Sequence, residues 1–134
     1  MAKKNVVKKD IVNRLSDPAR FEKLSDGWIK DRLLGLDWGP SSAKEMTWKQ
    51  AQEYCKKQGG RLPESCELET LTDRSKSNPA IYPIFADTKP SWYWSNTTVA
   101  WASGSAWCVA FRYGHVGSTS KGSFNSVRPV RSSQ

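Results

Sequence analysis

The chain has few of the residues on which most catalysis and metal binding depend. Among 134 residues there is one histidine, His115, and there are three cysteines, Cys55, Cys66 and Cys108. No Ser-His-Asp or Cys-His constellation can be assembled around a single imidazole. A zinc site would want a closer Cys-x-x-Cys pair and further histidines. The thiols cannot all pair and form no disulfide framework. Cys55 and Cys66 could touch, but two reduced, buried thiols are the expectation. No window approaches the roughly eighteen apolar residues of a membrane span. Lys8, Lys9, Asp10, Asn13 and Arg14 interrupt any apolar core of a secretory signal. The expected setting is therefore the cytoplasm or a virus particle assembled there, with export by another route left open. Acid is missing from one end: from Ser91 onward there is no Asp or Glu.

What is abundant is positive charge and tryptophan. Lys and Arg number 21 against 13 acids, a formal net charge of +8. The stretch through Lys23 holds seven Lys or Arg and three acids, and Arg112, Lys121, Arg128 and Arg131 charge the acid-free end. Either patch would attract a polyanion. The plainer expectation is a solvated tail and a structural use of Arg128 and Arg131. Neither a helix-turn-helix nor interleaved stacking aromatics accompany the charge, so nucleic acid is not an expected partner. Seven tryptophans (Trp28, Trp38, Trp48, Trp92, Trp94, Trp101 and Trp107) fall near predicted strands or helix starts, where large aromatics fill a loop-rich core. Trp101, set among small and polar residues, is the candidate for exposure.

A chain of this length makes one domain around a single core. Residues 1–25 read as a basic, helix-prone extension. Val6, Val7, Ile11, Val12, Leu15 and Phe21 supply its apolar positions, and Asp17-Pro18 divides it into two short helices. Residues 26–134 read as the domain. A strand or hairpin is expected from Trp28 to Leu36, then a turn at Gly39-Pro40-Ser41-Ser42. Thr47, with Gln50 three residues on, forms a capping box for a helix from Trp48 to Gln58 that Gly59-Gly60 stops. Ser65 is expected to cap a second helix, with Leu68 and Leu71 inward and Glu64, Glu67, Glu69 and Asp73 as a solvated, dipole-matched face. Residues 77–90, with three prolines, read as irregular connection.

From Trp92 the pattern turns to strands. Trp107, Val109 and Phe111 alternate with Cys108, Ala110 and Arg112, which places one set in the core and the other in solvent. Gly114 turns a hairpin, residues 117–126 read as a loop, and Val127 to Val130 return as the last strand. A rigid frame stands out here: Ala106, Trp107, Val109, Phe111, Gly114, Val116, Lys121, then Val127-Arg128-Pro129-Val130-Arg131. Fourteen residues lie between: Cys108, Ala110, Arg112, Tyr113, His115, Gly117, Ser118, Thr119, Ser120, Gly122, Ser123, Phe124, Asn125 and Ser126. Each is a type that an Asn codon AAC yields when its first two bases change. Lys, Glu, Gln, Trp and Met, which that change cannot yield, are absent from the set. The same small and β-favouring types would also suit two ordinary strands and a polar loop.

The frame resembles the C-terminal variable region of proteins diversified by diversity-generating retroelements. Such elements overwrite a gene segment with a copy of a template in which adenines have been randomised. Upstream, Asp26-Gly27-Trp28-Ile29-Lys30-Asp31-Arg32, Gly35-Leu36 and Trp38 resemble the opening strands of a bacterial C-type-lectin-like family known from collagen-like adhesins. Met46-Thr47-Trp48, Ala51, Tyr54-Cys55, Gly60-Arg61-Leu62-Pro63, Glu67-Leu68 and Trp92-Tyr93-Trp94-Ser95 continue the likeness, which runs from Asp26 to Arg131. Leu33-Leu34 stands where that family often has a Thr.

The resemblance implies an α+β, C-type lectin-like fold: two short helices packed on small antiparallel sheets, with an N-terminal helical extension and a variable region at about 99–126. It implies a ligand-binding display protein rather than an enzyme, with no cofactor and no metal. The binding face would be Trp101 and the fourteen in-between residues. Tyr113, Phe124, Trp101 and Arg112 would anchor, and Ser118, Thr119, Ser120 and Asn125 would adapt. The formylglycine-generating enzymes share a related fold but need a cysteine pair that Cys108 cannot complete. The Glu-Pro-Asn and Trp-Asn-Asp motifs of calcium-dependent lectins are missing, Asn78-Pro79 being a fragment at best. A protein or cell-surface glycan is the expected target, and a monomer is favoured. The alternative is a fixed-specificity adhesin or virion module of the same fold, holding an anionic polysaccharide on its basic C-terminal half.

Overall fold

Seven short strands and two helices make up the computed structural model, which describes residues 14–134. In chain order the elements are β1 (Phe21–Lys23), β2 (Ile29–Asp31), β3 (Leu36–Trp38), α1 (Trp48–Lys57), α2 (Ser65–Glu69), β4 (Trp92–Val99), β5 (Ala102–Ala110), β6 (His115–Ser120) and β7 (Val130–Ser132). They form two antiparallel sheets, one ordered β1-β2-β3-β7 and the other β4-β5-β6. Small antiparallel sheets with few helices make the class α+β, as expected.

Local signals set the helices. The Thr47 hydroxyl accepts from the Gln50 N–H, and the Gln50 side chain accepts from the Thr47 N–H at 3.0 Å. This closes the expected capping box. α1 stops at Gly59, whose φ of +83° few other residues adopt. Ala51 and Cys55, one turn apart, are fully buried. The N-cap of α2 is Glu64, not Ser65. Glu67 reaches back to the Glu64 N–H at 2.8 Å while gripping Arg61 through both carboxylate oxygens. That paired grip outweighs a lone serine cap. Leu68 and Leu71 are buried, as their spacing implies.

Two apolar clusters flank the β4-β5-β6 sheet. The larger gathers Ile29, Leu36 and Trp38 with Leu68, Leu71, Phe85, Tyr93, Val109 and Phe111. The smaller gathers Ala51 and Cys55 of α1 with Leu62, Trp94, Ala106, Cys108 and Val127. Trp38 and Trp94 have no exposed surface, and Trp101 is the exposed tryptophan. Cys55 is buried, but Cys66 is exposed, contrary to the expectation of two buried thiols. It is a first-turn residue of α2 whose side chain points off the core.

The chain start differs most from the sequence reading. The expected first helix falls mainly on residues outside the described range, with residues 14–16 helical. The second is not a helix. Asp17 caps a 3-10 turn at Pro18–Arg20, and β1 follows, paired with β2 in the register Phe21↔Asp31. The cause is tertiary. The Arg20 guanidinium donates to both oxygens of Asp31 at 2.9 Å, and to the Thr70 hydroxyl and carbonyl, with both charged side chains essentially fully buried. Asp31 also accepts from Trp38 Nε1 and from the N–H groups of Leu33 and Leu34. Removing one member of such a buried pair strands the other charge. Arg20→Ala should therefore lower stability by about 3–5 kcal/mol, read as a shifted urea midpoint at unchanged slope.

Candidate functional site

The predicted variable residues lie on the β5–β6 hairpin and on the turn that leaves it. β5 is the central strand, paired to β4 on one side and to β6 on the other, where Ser105 faces Ser120 and Ala110 faces His115. The turn rests on Gly114, with φ +79°. β6 takes up Gly117 to Ser120, a strand where the sequence leads one to expect a loop. The last strand starts only at Val130. Residues 125–129 instead thread between the sheets.

Alternation along β5 sorts residues into two faces, but both are covered over most of its length. Val109 and Phe111 join the larger cluster; Ala106 and Cys108 turn the other way, onto α1. Cys108, Ala110, Asn125 and Ser126 are therefore buried, not outward as expected, while Trp107 of the frame is half-exposed. A period of two identifies opposite faces without saying that each has its own cover. Asn125 donates to the Thr119 hydroxyl at 2.9 Å, with Cys108 Sγ at 3.5 Å from that same oxygen. Burial pushes the Cys108 thiol up to about 11 and the Cys55 thiol up to about 12. Both are protonated and poor nucleophiles at neutral pH.

The other expected positions do reach the surface. Trp101, Tyr113 and Phe124 are 80, 58 and 62% exposed and are the large hydrophobic side chains most open to solvent among the described residues. Arg112, His115, Ser118, Ser120 and Gly122 are exposed, and Gly117, Thr119 and Ser123 are half-buried. The Arg112 guanidinium lies over the Tyr113 ring at 5.3 Å, and His115 meets Trp92 edge-on. Gly117 is cramped: a Cβ there would stand 2.6 Å from the Trp92 ring.

These anchors do not converge on one patch. Trp101 sits in the β4–β5 turn and Tyr113 in the β5–β6 turn, separated by the nine residues of β5, about 30 Å at strand rise. Phe124 belongs to the Trp101 end, because the Lys121 N–H donates to the Gly104 carbonyl and the chain turns there. Trp101 packs edge-on against Trp107, with ring centroids 5.9 Å apart. Trp107, Ser103 and Gly104 also surface at this end, and the sequence reading missed them. Trp107 was hidden by its place in the apolar alternation.

Half of the basic charge at this end of the chain is structural, as expected for Arg128 and Arg131. Arg128 donates to the Gly39 carbonyl, Asp87 and Thr88, and Arg131 to Asp37 and Asp26. Lys121 Nζ donates to Thr98 and lies 4.1 Å from the Trp48 ring centroid. Arg112 and Lys121 make no ion pair among the described residues. Among the described residues no group of three or more His, Cys, Asp or Glu is placed to hold a metal, and no helix is long and apolar enough to cross a membrane.

Comparison with protein families matches residues 27–131 to the Lcl C-terminal domain. No curated protein matches the chain.

Two outcomes follow from this geometry. Under native conditions at pH 8 a maleimide should label Cys66 alone, with Cys55 and Cys108 reacting only on unfolding, as intact mass would show. Gly117→Ala should drive Trp92 from its seat and lower the melting temperature by several degrees, about 1–3 kcal/mol of overpacking.

Proposed function

The chain belongs to the Lcl C-terminal domain family, and on that footing we propose that it is a ligand-binding display domain of C-type lectin-like fold, its side chains on the β5–β6 hairpin and the turn beyond being varied by a retroelement through adenine mutagenesis. An adhesin-like, ligand-binding role is what the family itself supports. The observation that carries the finer reading is where the aromatics are. Trp101, Tyr113 and Phe124, the large hydrophobics most open to water, all fall within residues 99–126. Exposed aromatic side chains on a rigid frame, set among serines and glycines, have the composition of a binding surface. The hairpin is rigid because β5 is held on both sides and covered on both faces.

Binding here involves no chemistry. His115, the only imidazole, packs on Trp92, and the buried thiols are held protonated. The target is a protein or a cell-surface glycan.

The DNA flanking the gene tests the diversification directly. A second, imperfect copy of the segment encoding Trp107 to Val127, differing almost only at adenines and lying beside a reverse transcriptase gene, is the expected result. Its absence would leave a fixed-specificity adhesin. On the protein, the triple variant Trp101→Ala, Tyr113→Ala and Phe124→Ala should melt almost as the parent does, since each exposed change costs within about 0.5 kcal/mol. Collapse of the fold would show that these rings are structural.

A further inference from the structure

The backbone of β6 carries a feature that its side chains do not. In an antiparallel ladder, residues alternate between those bonded to the neighbour and those whose N–H and C=O point away from it. The Lys121 N–H donates to the Gly104 carbonyl at 2.8 Å, which fixes the phase. His115, Gly117 and Thr119 bond to β5, and Val116, Ser118 and Ser120 point outward. On the opposite side of β5 the Phe111 N–H donates to Ser91 and the Trp107 carbonyl accepts from the Ser95 hydroxyl, as this phase requires. No described residue accepts from the N–H of Val116, Ser118 or Ser120. The C=O of Ser120 is used by the Ser123 N–H; those of Val116 and Ser118 are free among the described residues.

The other sheet edges are protected. The outer edge of β4 is closed by Ser126 and by the Pro63 carbonyl, and that of β7 by Arg61. β1 is three residues long and carries Glu22 and Lys23. β6 is twice as long, has no Lys, Arg, Asp or Glu, no proline and no bulge, and pairs with β5 in unbroken register. Proteins ordinarily guard such an edge.

We infer that the free edge of β6 receives an extended, acidic strand of a protein ligand, extending the sheet from three strands to four. This rests on the ligand-binding reading of the same hairpin. Charge selects the occupant. Arg112 and Arg74, the latter donating to the Gly114 carbonyl at the turn that leads into β6, make no ion pair among the described residues, and from residue 88 onward the chain has no acid. Two copies of a chain with net charge +8 would instead repel. The arrangement also suits a surface whose side chains vary. The main-chain donors and acceptors of Val116 and Ser118 survive any change of side chain at Ser118 or Thr119 other than to proline, so affinity comes from the backbone and specificity from alternate side chains.

The test is a titration of the ¹⁵N-labelled full chain with a hexapeptide of alternating Val and Thr ending in Glu at both termini. Amide signals of Val116, Ser118 and Ser120 should shift saturably. The same peptide N-methylated at alternate amides, and a Lys-ended version, should each bind roughly tenfold more weakly or worse. Ser118→Pro should abolish the shifts and leave the remaining spectrum in place, because that N–H takes no part in the β5–β6 ladder. Absence of edge shifts, equal binding of the N-methylated peptide, or edge shifts that appear with protein concentration alone would each overturn the inference. Shifts confined to Trp101 and Phe124 would overturn it too, while leaving the display reading standing; the flanking DNA decides that reading independently.

Discussion

Residues 125–130 must pass through the interior, and a buried backbone cannot leave its polar groups unpaired. That requirement ties the two sheets together. Asn125 exchanges hydrogen bonds with Met46, Ser126 with β4, and Val130 with Arg61, while Val127 and Pro129 accept from Ser42 and Gly39. Val130 then enters the ladder of β3 opposite Trp38. Arg128 is held in the same passage, its guanidinium buried against Gly39, Asp87 and Thr88. Burial pushes the Asp87 carboxyl up, but the Arg128 charge and hydrogen bonds hold it below its ordinary value overall. Once this segment is seated, the outer edge of β4 is closed and β5 lies between β4 and β6 with its side chains in both apolar clusters.

Much of this was legible because it is local. The Thr47–Gln50 box, the stop at Gly59, the inward Leu68 and Leu71 and the turn at Gly114 are each written within a few residues. So was the exposure of Trp101, among small neighbours. What stayed hidden depends on distant partners. The Arg20–Asp31 pair, closed across the sheet, turns an apparent helix into β1. Glu67 caps α2 because Arg61 holds it. α1 covers the second face of β5, so an alternation that normally marks a solvent-facing strand marks one buried on both sides.

The candidate site is accordingly divided. Trp101, Trp107 and Phe124 mark one end of the hairpin, and Arg112, Tyr113 and His115 the other, with β6 running between them. A ligand spanning both ends would follow the strand for its whole length. A smaller one would engage a single end and meet either an indole-rich surface or an aromatic ring under a guanidinium.

The burial of Cys108, Ala110, Asn125 and Ser126 and the close approach at Gly117 carry a consequence for any repertoire built on this scaffold. Randomisation does not respect burial, so some newly written sequences would place a bulky or charged side chain where only a small one packs. Those chains would be lost to misfolding before they met a target. Attrition at four buried positions and at cramped Gly117 would thus prune the library first, and the surviving diversity would be concentrated at the exposed ones.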